Sequence, residues 1–261
     1  MNLDLRGKKA LVCGSTQGIG KAVALELALL GASVTLVARN EETLRKTRSE
    51  LSTLFQQQHD YVVADFSQPL ELKKVVEKLV ASKNIHILVN NTGGPPSGPI
   101  TEATEEAFLQ AFNNHLICNQ LLATALFPGM KQEGYGRIIN IISTSVKQPL
   151  KNLGVSNTVR AAVANWSKTW ANEVAHYGIT VNNVLPGATN TVRLRSIIEA
   201  KATKTGSRID DVKHEMLEEV PMKRFAEASE IASAVAFLAS PAAGYISGVN
   251  LPVDGGRTGC L

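Results

Sequence analysis

Short apolar runs alternate with longer amphipathic stretches along the whole chain. The short runs are rich in Val, Ile and Leu and apolar on both faces, which is typical of parallel strands covered by helices on two sides. The longer stretches repeat their apolar residues at helical spacing. The predicted strands are Lys9–Cys13, Ser33–Ala38, Tyr61–Ala64, Ile85–Asn90, Arg137–Ile142, Thr180–Leu185 and Val249–Val253. The predicted helices are Gly18–Leu30, Glu41–Gln56, Pro69–Ala81, Glu105–Met130, Val155–Tyr177 and Ser229–Ala239.

This alternation predicts right-handed crossovers and a doubly wound α/β domain of the Rossmann type, with a mostly parallel seven-stranded sheet and helices on both faces. A chain of 261 residues fits one such domain over its whole length. Two segments interrupt the alternation. Thr191–Glu219 is long, charged and weakly helical, and we expect it to form a substrate lid. Thr92–Pro99 is dense in Gly and Pro and predicts a loop that shapes the same pocket.

Composition excludes several classes of protein. The chain is 44% apolar and only 19% charged, which favours a folded globular domain over disorder. Its 27 Lys and Arg residues are scattered among 23 acids, so the net charge of +4 indicates a solvated surface and no nucleic-acid partner. Neither a signal peptide nor a membrane-spanning run is predicted. The three cysteines form no metal or disulfide pattern, so we expect no metal and a cytoplasmic location.

A glycine-rich turn, Gly14-Ser15-Thr16-Gln17-Gly18-Ile19-Gly20, follows the first strand and opens the first helix. Glycines at these positions allow a tight turn, close approach of the backbone to a pyrophosphate, and close packing of the helix on the strand. The free N–H groups and the dipole of the helix then favour a bound phosphate. The turn therefore predicts a dinucleotide site, with expected contacts from Gly14, Ser15, Gln17, Gly18, Ile19 and Gly20.

The spacing G-x-x-x-G-x-G resembles that of the short-chain dehydrogenase/reductase family, in particular its 3-oxoacyl-carrier-protein-reductase-like members. The segment Asn90-Asn91-Thr92-Gly93 is similar to the family's Asn-Asn-Ala-Gly, and Asp254-Gly255-Gly256 lies near the C-terminus as in the family. The resemblance covers nearly the whole chain and implies a homodimer or homotetramer built on the helices of residues 105–130 and 155–177. It implies further cofactor contacts from Asp65, Phe66, Asn91, Gly93, Pro186, Gly187 and Thr191.

The choice of cofactor depends on the end of the second strand, where Arg39 and Asn40 follow Ala38. An enzyme that prefers NAD would carry an acid there, to accept hydrogen bonds from the ribose 2′-hydroxyl. A guanidinium instead matches a 2′-phosphate in charge and in geometry. We therefore predict NADP(H) as the cofactor, bound by Arg39 and Asn40. The alternative is that Arg39 is an ordinary surface residue.

The catalytic motif of the family is altered in this chain. The slot of the family's Tyr-x-x-x-Lys reads Ser156-Asn157-Thr158-Val159-Arg160. The resemblance implies that Ser143 binds the substrate oxygen and that Arg160 replaces the lysine that holds the nicotinamide ribose. A serine hydroxyl is a weaker acid than a phenol and is shorter, so Ser156 does not replace the tyrosine directly. For Ser143, the competing interpretation is a strand-end hydroxyl bonded to nearby backbone.

Three groups are candidates for the proton source that the tyrosine would have supplied. The simplest is a water held by Ser143 and Ser156. His115 occupies the slot of the family's catalytic Asn, and a free pKa of about 6.5 would suit a proton relay. A shift of one residue would place Asn114 in that slot instead, and a structural histidine bonded to backbone is the favoured interpretation of His115. Lys147, on the loop after Ser143, is the third candidate.

Two classes of function remain open at this point. The favoured one is an NADP(H)-dependent oxidoreductase acting on a small-molecule ketone or secondary alcohol with an atypical proton donor. The alternative is a catalytically impaired NADP-binding or regulatory protein on the same fold. The lid cations Arg193, Arg195 and Lys201 suggest an anionic substrate, although a solvated lid face is the preferred interpretation.

Overall fold

Seven parallel strands form one sheet in the order β3-β2-β1-β4-β5-β6-β7, in a computed structural model that describes residues 1–260. Every neighbouring pair of strands is parallel, so the predicted fold class is confirmed. The strand order reverses between β1 and β4, which is where doubly wound sheets bind their ligands. The strands are β1 (Lys9–Cys13), β2 (Ser33–Ala38), β3 (Asp60–Val63), β4 (Ile87–Asn90), β5 (Gly136–Ile141), β6 (Ile179–Pro186) and β7 (Asn250–Val253).

Helices cover both faces of the sheet. Within β1, Leu11 and Val12 point to opposite faces and both are fully buried. Val12 joins an apolar cluster with residues of α1 and α9, and Leu11 joins a second cluster with residues of α3, α5 and α6. The helices are α1 (Gly18–Leu29), α2 (Glu41–Ser49), α3 (Pro69–Val80), α4 (Glu105–Phe112), α5 (Cys118–Glu133), α6 (Gly154–Val174), α7 (Val192–Thr205), α8 (Ile209–Glu218) and α9 (Ala228–Ala239).

Two predicted helices differ from the observed ones. The helix expected over Glu41–Gln56 ends at Ser49, because the chain then turns to bury Gln57, whose amide donates to Ala28 O over 2.6 Å. The helix expected over Glu105–Met130 is interrupted by a π-helical turn at Asn113–Ile117, which separates α4 from α5. This turn rotates the positions that follow it relative to an ideal helix.

A ladder of four asparagine side chains crosses the sheet at one register level. Asn90 on β4 donates to Asn140 on β5 over 2.8 Å, and Asn140 donates to Asn183 on β6 over 2.9 Å. Asn183 then donates to Asn250 on β7 over 2.8 Å. The ladder ties four strands together, close to the carboxyl ends of β4 and β5, where the chain leaves the sheet to form the candidate site.

The charged segment 191–219 contains the two helices α7 and α8. They pack on each other through an apolar cluster of Leu194, Ile198, Ala202 and Val212. Among the helices of residues 1–260, none combines the length and the hydropathy that crossing a bilayer requires.

Candidate active site

The glycine-rich turn is packed too closely to accept side chains. Gly14 has a φ of +59°, and a Cβ placed on it would lie 2.7 Å from Asn91 O. A Cβ on Gly20 would overlap Gly14 O. Asn91 fixes the turn by donating to Cys13 O over 3.2 Å and to Gly14 O over 3.3 Å. No side chain caps the start of α1. The first backbone N–H groups of the helix are therefore free to bind a ligand.

Ser15 lies in this turn, but its side chain has a structural role. The hydroxyl is fully buried, accepts from Val37 N over 3.0 Å and donates to Val37 O over 3.3 Å. The expected contribution of Ser15 to a cofactor is therefore limited to its backbone. Gln17, by contrast, is exposed at the N-cap of α1, with Gly18 and Ile19 half-buried beside it.

Arg39 and Asn40 differ in what their side chains are free to do. Arg39 is exposed after β2 and forms no ion pair with any carboxylate of residues 1–260. Asn40 instead caps α2, because its Oδ1 accepts from Thr43 N over 2.9 Å. The guanidinium is thus available for a 2′-phosphate, and the cap uses only the amide oxygen of Asn40, which leaves its NH2 group free to donate.

The adenine end of the predicted cofactor site follows β3. Asp65 accepts from Ser67 N over 2.9 Å, which leaves its second carboxylate oxygen without a partner among the described residues. Phe66 packs half-buried against the apolar cluster that contains Leu11.

The nicotinamide end of the site joins the start of the lid to the start of α1. Gly187 follows Pro186 at the end of β6, and a Cβ on it would lie 2.7 Å from Asp254 Cα. Thr191 caps α7 by accepting from Leu194 N over 3.3 Å. Its Cγ2 lies 3.3 Å from the Cβ position of Gly18, so the lid begins directly beside the glycine-rich turn.

Arg160 is a buried cation with an incomplete set of partners. It is 8% exposed, and its Nη1 donates to Ile141 O over 2.8 Å. Its Nε has no hydrogen-bond partner, and no carboxylate of the described chain pairs with it. Burial, with the nearby charge of Arg193, lowers the pKa of Arg160 to about 10. Arg160 therefore remains charged at neutral pH.

Ser143 and Ser156 lie at the carboxyl end of β5 and in the first turn of α6. Ser143 Oγ accepts from Ser145 N over 3.1 Å, which is the backbone bond of the competing interpretation. That bond uses the oxygen as an acceptor and leaves the O–H free to donate. Ser156 is half-buried and precedes Arg160 by four residues, so the two side chains share one face of α6.

His115 lies in the π-helical turn and is 3% exposed. Its Nδ1 is 2.6 Å from Thr92 Oγ1, so its partner is a side-chain hydroxyl, and the expected bond to backbone is wrong. Burial, followed by the charge of Arg160, lowers the pKa of His115 to about 2. The imidazole is neutral at physiological pH, and the free pKa on which a relay role was based does not apply.

Asn114 does not take the place of His115 in the site. In the amide orientation that satisfies its neighbours, it donates to Phe66 O over 2.8 Å and to Gln110 O over 3.2 Å. It therefore faces the β3 side of the fold. Lys147 is half-buried at the end of the 3₁₀ turn that follows Ser143.

The tyrosines do not supply the missing phenol. The hydroxyls of Tyr61 and Tyr135 donate to Glu41 Oε1 and Ala239 O, over 2.9 and 2.8 Å. Tyr177 packs on Phe127, and Tyr245 is fully exposed.

Two side chains in the site were not among the predicted catalytic or cofactor-binding residues, although Arg193 was one of three lid cations considered for an anionic substrate. Thr92 stands where the family pattern has Ala. This difference in the sequence could have indicated a hydroxyl that bonds to His115. Arg193 is the second, because its Nη2 donates to Pro95 O over 2.7 Å on the loop after β4. Nothing in the charge pattern of α7 indicated which of its cations would turn inward.

The known proteins that resemble this chain are reductases and other oxidoreductases. Residues 14–258 match the family model described as enoyl-(acyl carrier protein) reductase. The chain is 36% identical to the 3-oxoacyl-[acyl-carrier-protein] reductase FabG of Haemophilus influenzae, over 97% of this chain and 98% of that one. It is 34% identical to the oxidoreductase YvrD of Bacillus subtilis, over 98% of each chain. The structure of L-sorbose reductase from Gluconobacter frateurii complexed with NADPH and L-sorbose superposes over 100% of both chains, with a TM-score of 0.92 and 33% identity.

Proposed function

Because the chain belongs to the short-chain dehydrogenase/reductase family, we propose that it is an NADP(H)-dependent oxidoreductase that transfers hydride between nicotinamide and a ketone or secondary alcohol. The observation that carries the proposal is the state of Arg160. Removing a guanidinium from water without a carboxylate partner is costly. Such perturbed groups concentrate at functional sites. Arg160 keeps a positive charge at the position where the family holds its cofactor with a lysine, which supports an active site over a degenerate one.

The residues present fit NADP(H). The close packing at Gly14 and Gly20 brings backbone N–H groups to a pyrophosphate, and Arg39 is free to bind a 2′-phosphate. When bound, the reduced nicotinamide supplies the hydride. The Nη2 group of Arg160 makes no hydrogen bond within the described residues, so one of its N–H groups is available to a ribose hydroxyl. The NADPH in the complex of L-sorbose reductase supports the same choice of cofactor.

The proton then has to come from a group other than tyrosine. Ser143 donates its free O–H to the substrate oxygen and fixes the carbonyl. Because the pKa of His115 leaves that ring neutral, the proton donor in our proposal is a water held between Ser143 and Ser156, and the hydroxide that it leaves is reprotonated from the solvent. The hydrogen bond between Thr92 and His115 fixes the loop after β4 beside the site. Arg160 stabilises the negative charge that develops on the oxygen, since its field acts in a water-poor environment.

Three further features belong to the proposal. Segment 191–219 acts as the lid over the substrate, and its first residues adjoin the glycine-rich turn. The protein assembles as a homodimer or homotetramer through α5 and α6, where Trp166 and Trp170 both donate to Gln120 Oε1 on the half-exposed outer surface. A cytoplasmic location stays a prediction.

The test combines cofactor binding with turnover. NADPH is titrated by its fluorescence, and its oxidation is then followed with a panel of ketones. We expect saturable binding and oxidation with at least one ketone, and neither in Gly20→Ala, whose Cβ would overlap Gly14 O. Gly259→Ala, where a Cβ meets nothing within 4 Å, is the matched control. Tight binding without oxidation on any ketone would favour the impaired or regulatory protein.

A further inference from the structure

Two guanidinium groups meet beside Gly94, on the loop that follows β4. A Cβ placed on Gly94 would lie 3.6 Å from Arg193 Nη2 and 3.8 Å from Arg160 Nη2. Both distances start from the same point, so the Nη2 atoms of Arg193 and Arg160 cannot be farther apart than the sum of the two. One carboxylate that accepts two N–H···O bonds of about 2.9 Å spans a gap of that size. Since Gly94 has no side chain, no Cβ occupies the position that lies next to both cations.

Both cations lack the partner that would neutralise them. Neither Arg160 nor Arg193 pairs with a carboxylate within residues 1–260. Arg160 is more than nine-tenths buried, and its Nε is unbonded. Two like charges at this separation repel each other, and this repulsion adds to the effect of burial, which is the main cause of the lowered pKa of Arg160. An anion between them would remove the repulsion and accept hydrogen bonds from both Nη2 groups.

The lid cations are distinguished by the direction in which they point. Arg193 reaches Pro95 O and is thereby held over the site. Lys201 instead pairs with Glu215 over 2.8 Å, inside the lid. Arg195 lines a separate cleft of about 640 Å³ together with Glu199 and Asp210. Only Arg193 of these three combines an inward orientation with a neighbouring buried cation.

We propose that Arg193 and Arg160 bind the carboxylate of the substrate, so that the enzyme acts on a keto acid or the matching hydroxy acid. This inference rests on the proposed function and adds the chemical class of the substrate. The phosphates of the cofactor already have candidate partners in the backbone of the turn Gly14–Gly20 and in Arg39. Arg193 lies in the first turn of α7 and reaches the loop after β4, where its Nη2 donates to Pro95 O.

The test measures binding without relying on turnover. The enzyme is saturated with NADP⁺, so that ketone reduction does not proceed, and is titrated calorimetrically with 2-oxobutanoate, acetoacetate and levulinate. Each acid is compared with its methyl ester, which has the same carbonyl and no charge. We expect at least one acid to bind about tenfold or more tightly than its ester, since a charge-assisted bond of this type contributes that much. Arg193→Gln removes this difference, and Arg195→Gln, two residues along α7, keeps it.

The outcomes separate the inference from the function on which it rests. Equal binding of every acid and its ester by the unaltered protein overturns the inference, as does an equal loss in both variants. A weaker NADPH affinity in Arg193→Gln with the acid preference intact assigns Arg193 to a cofactor phosphate and also overturns it. If acids bind preferentially but no ketone or keto acid is reduced, the proposed function fails and the carboxylate site stands. If NADP⁺ does not bind, the same titration of the cofactor-free protein still decides on the carboxylate site.

Discussion

The Nδ1 atom of His115 lies 2.6 Å from the hydroxyl oxygen of Thr92, and the two residues come from a π-helical turn and from the loop after β4. This bond closes one wall of the site next to Arg160. The proximity of that cation and the burial of the ring keep the imidazole neutral. The bond therefore serves to position the loop, and proton donation from an imidazolium is excluded at neutral pH.

The neutral state of His115 predicts a pH dependence of stability. The pKa of about 2 in the folded state is below the value of about 6.5 in the unfolded chain. Between these values the unfolded state binds the additional proton, so the free energy of unfolding falls as the pH falls. We expect a loss of about 2 kcal/mol from this residue between pH 7.5 and pH 5. Urea denaturation at both pH values measures it.

His115→Gln is the control for this effect. Gln keeps a hydrogen-bonding group for Thr92 but does not titrate, so its stability should fall less over the same pH interval. Other groups, including His86 with its lowered pKa, contribute equally to both proteins and cancel in the difference. An identical pH dependence of the two proteins would contradict a buried neutral His115.

The second prediction concerns Arg39. Arg39→Ala removes the guanidinium assigned to the 2′-phosphate, so the Kd for NADPH should rise about tenfold to a hundredfold while the Kd for NADH stays the same. Fluorescence titration with both cofactors measures this. Arg45→Ala is the matched control, because Arg45 is also exposed but already pairs with Glu41. An equal change for NADPH and NADH would remove Arg39 from the 2′-phosphate site.

The third prediction concerns the asparagine ladder. Asn140→Ala leaves both the donor of Asn90 and the acceptor of Asn183 unpaired inside the sheet. We expect a loss of about 2–6 kcal/mol in the free energy of unfolding, since each of the two buried unpaired groups costs about 1–3 kcal/mol. Asn250→Ala, at the half-buried end of the ladder, leaves one group unpaired and should cost less than half as much. Equal losses in the two variants would show that the ladder does not act as a continuous network.

The fourth prediction tests the identity of the missing acid. Ser156→Tyr places a phenol one helical turn from the Arg160 cation, which lowers a phenol's pKa. The rate of ketone reduction should then exceed that of Ser156→Phe by about tenfold or more, because positioned acids contribute about 10²- to 10⁴-fold. The Phe variant controls for bulk. Equal rates in the two variants, both still binding NADPH, would mean that proton transfer does not limit the reaction.

How far the sequence determines this structure depends on the kind of signal. The alternation of apolar runs predicted the parallel sheet correctly, because strands buried on both faces leave an unmistakable pattern. The end of α2 at Ser49 was not predictable, since no Gly or Pro marks it and the tertiary burial of Gln57 decides it. Neither was the π-helical turn, which carries no local signature. It lies in the segment that presents His115 to Thr92.

In the site, too, features with a local sequence signal could be predicted, and features set by tertiary contacts could not. The glycines of the turn are recognisable because their spacing follows from sterics that no other residue satisfies. The inward direction of Arg193 depends on a bond to Pro95 O, nearly a hundred residues away, and helix periodicity does not encode it. The pKa of His115 likewise depends on burial and on Arg160, neither of which is visible in a residue's own neighbourhood along the chain.

The most direct test of the account is an isotope transfer. The protein is incubated with NADPH deuterated at both C4 positions and with the keto acids of the binding panel, and the products are analysed by mass spectrometry and NMR. A site that delivers hydride without a tyrosine predicts a hydroxy acid with one deuterium on its carbinol carbon, and none of this product with Gly20→Ala. Saturable NADPH binding with no deuterated alcohol from any keto acid or ketone would contradict the account.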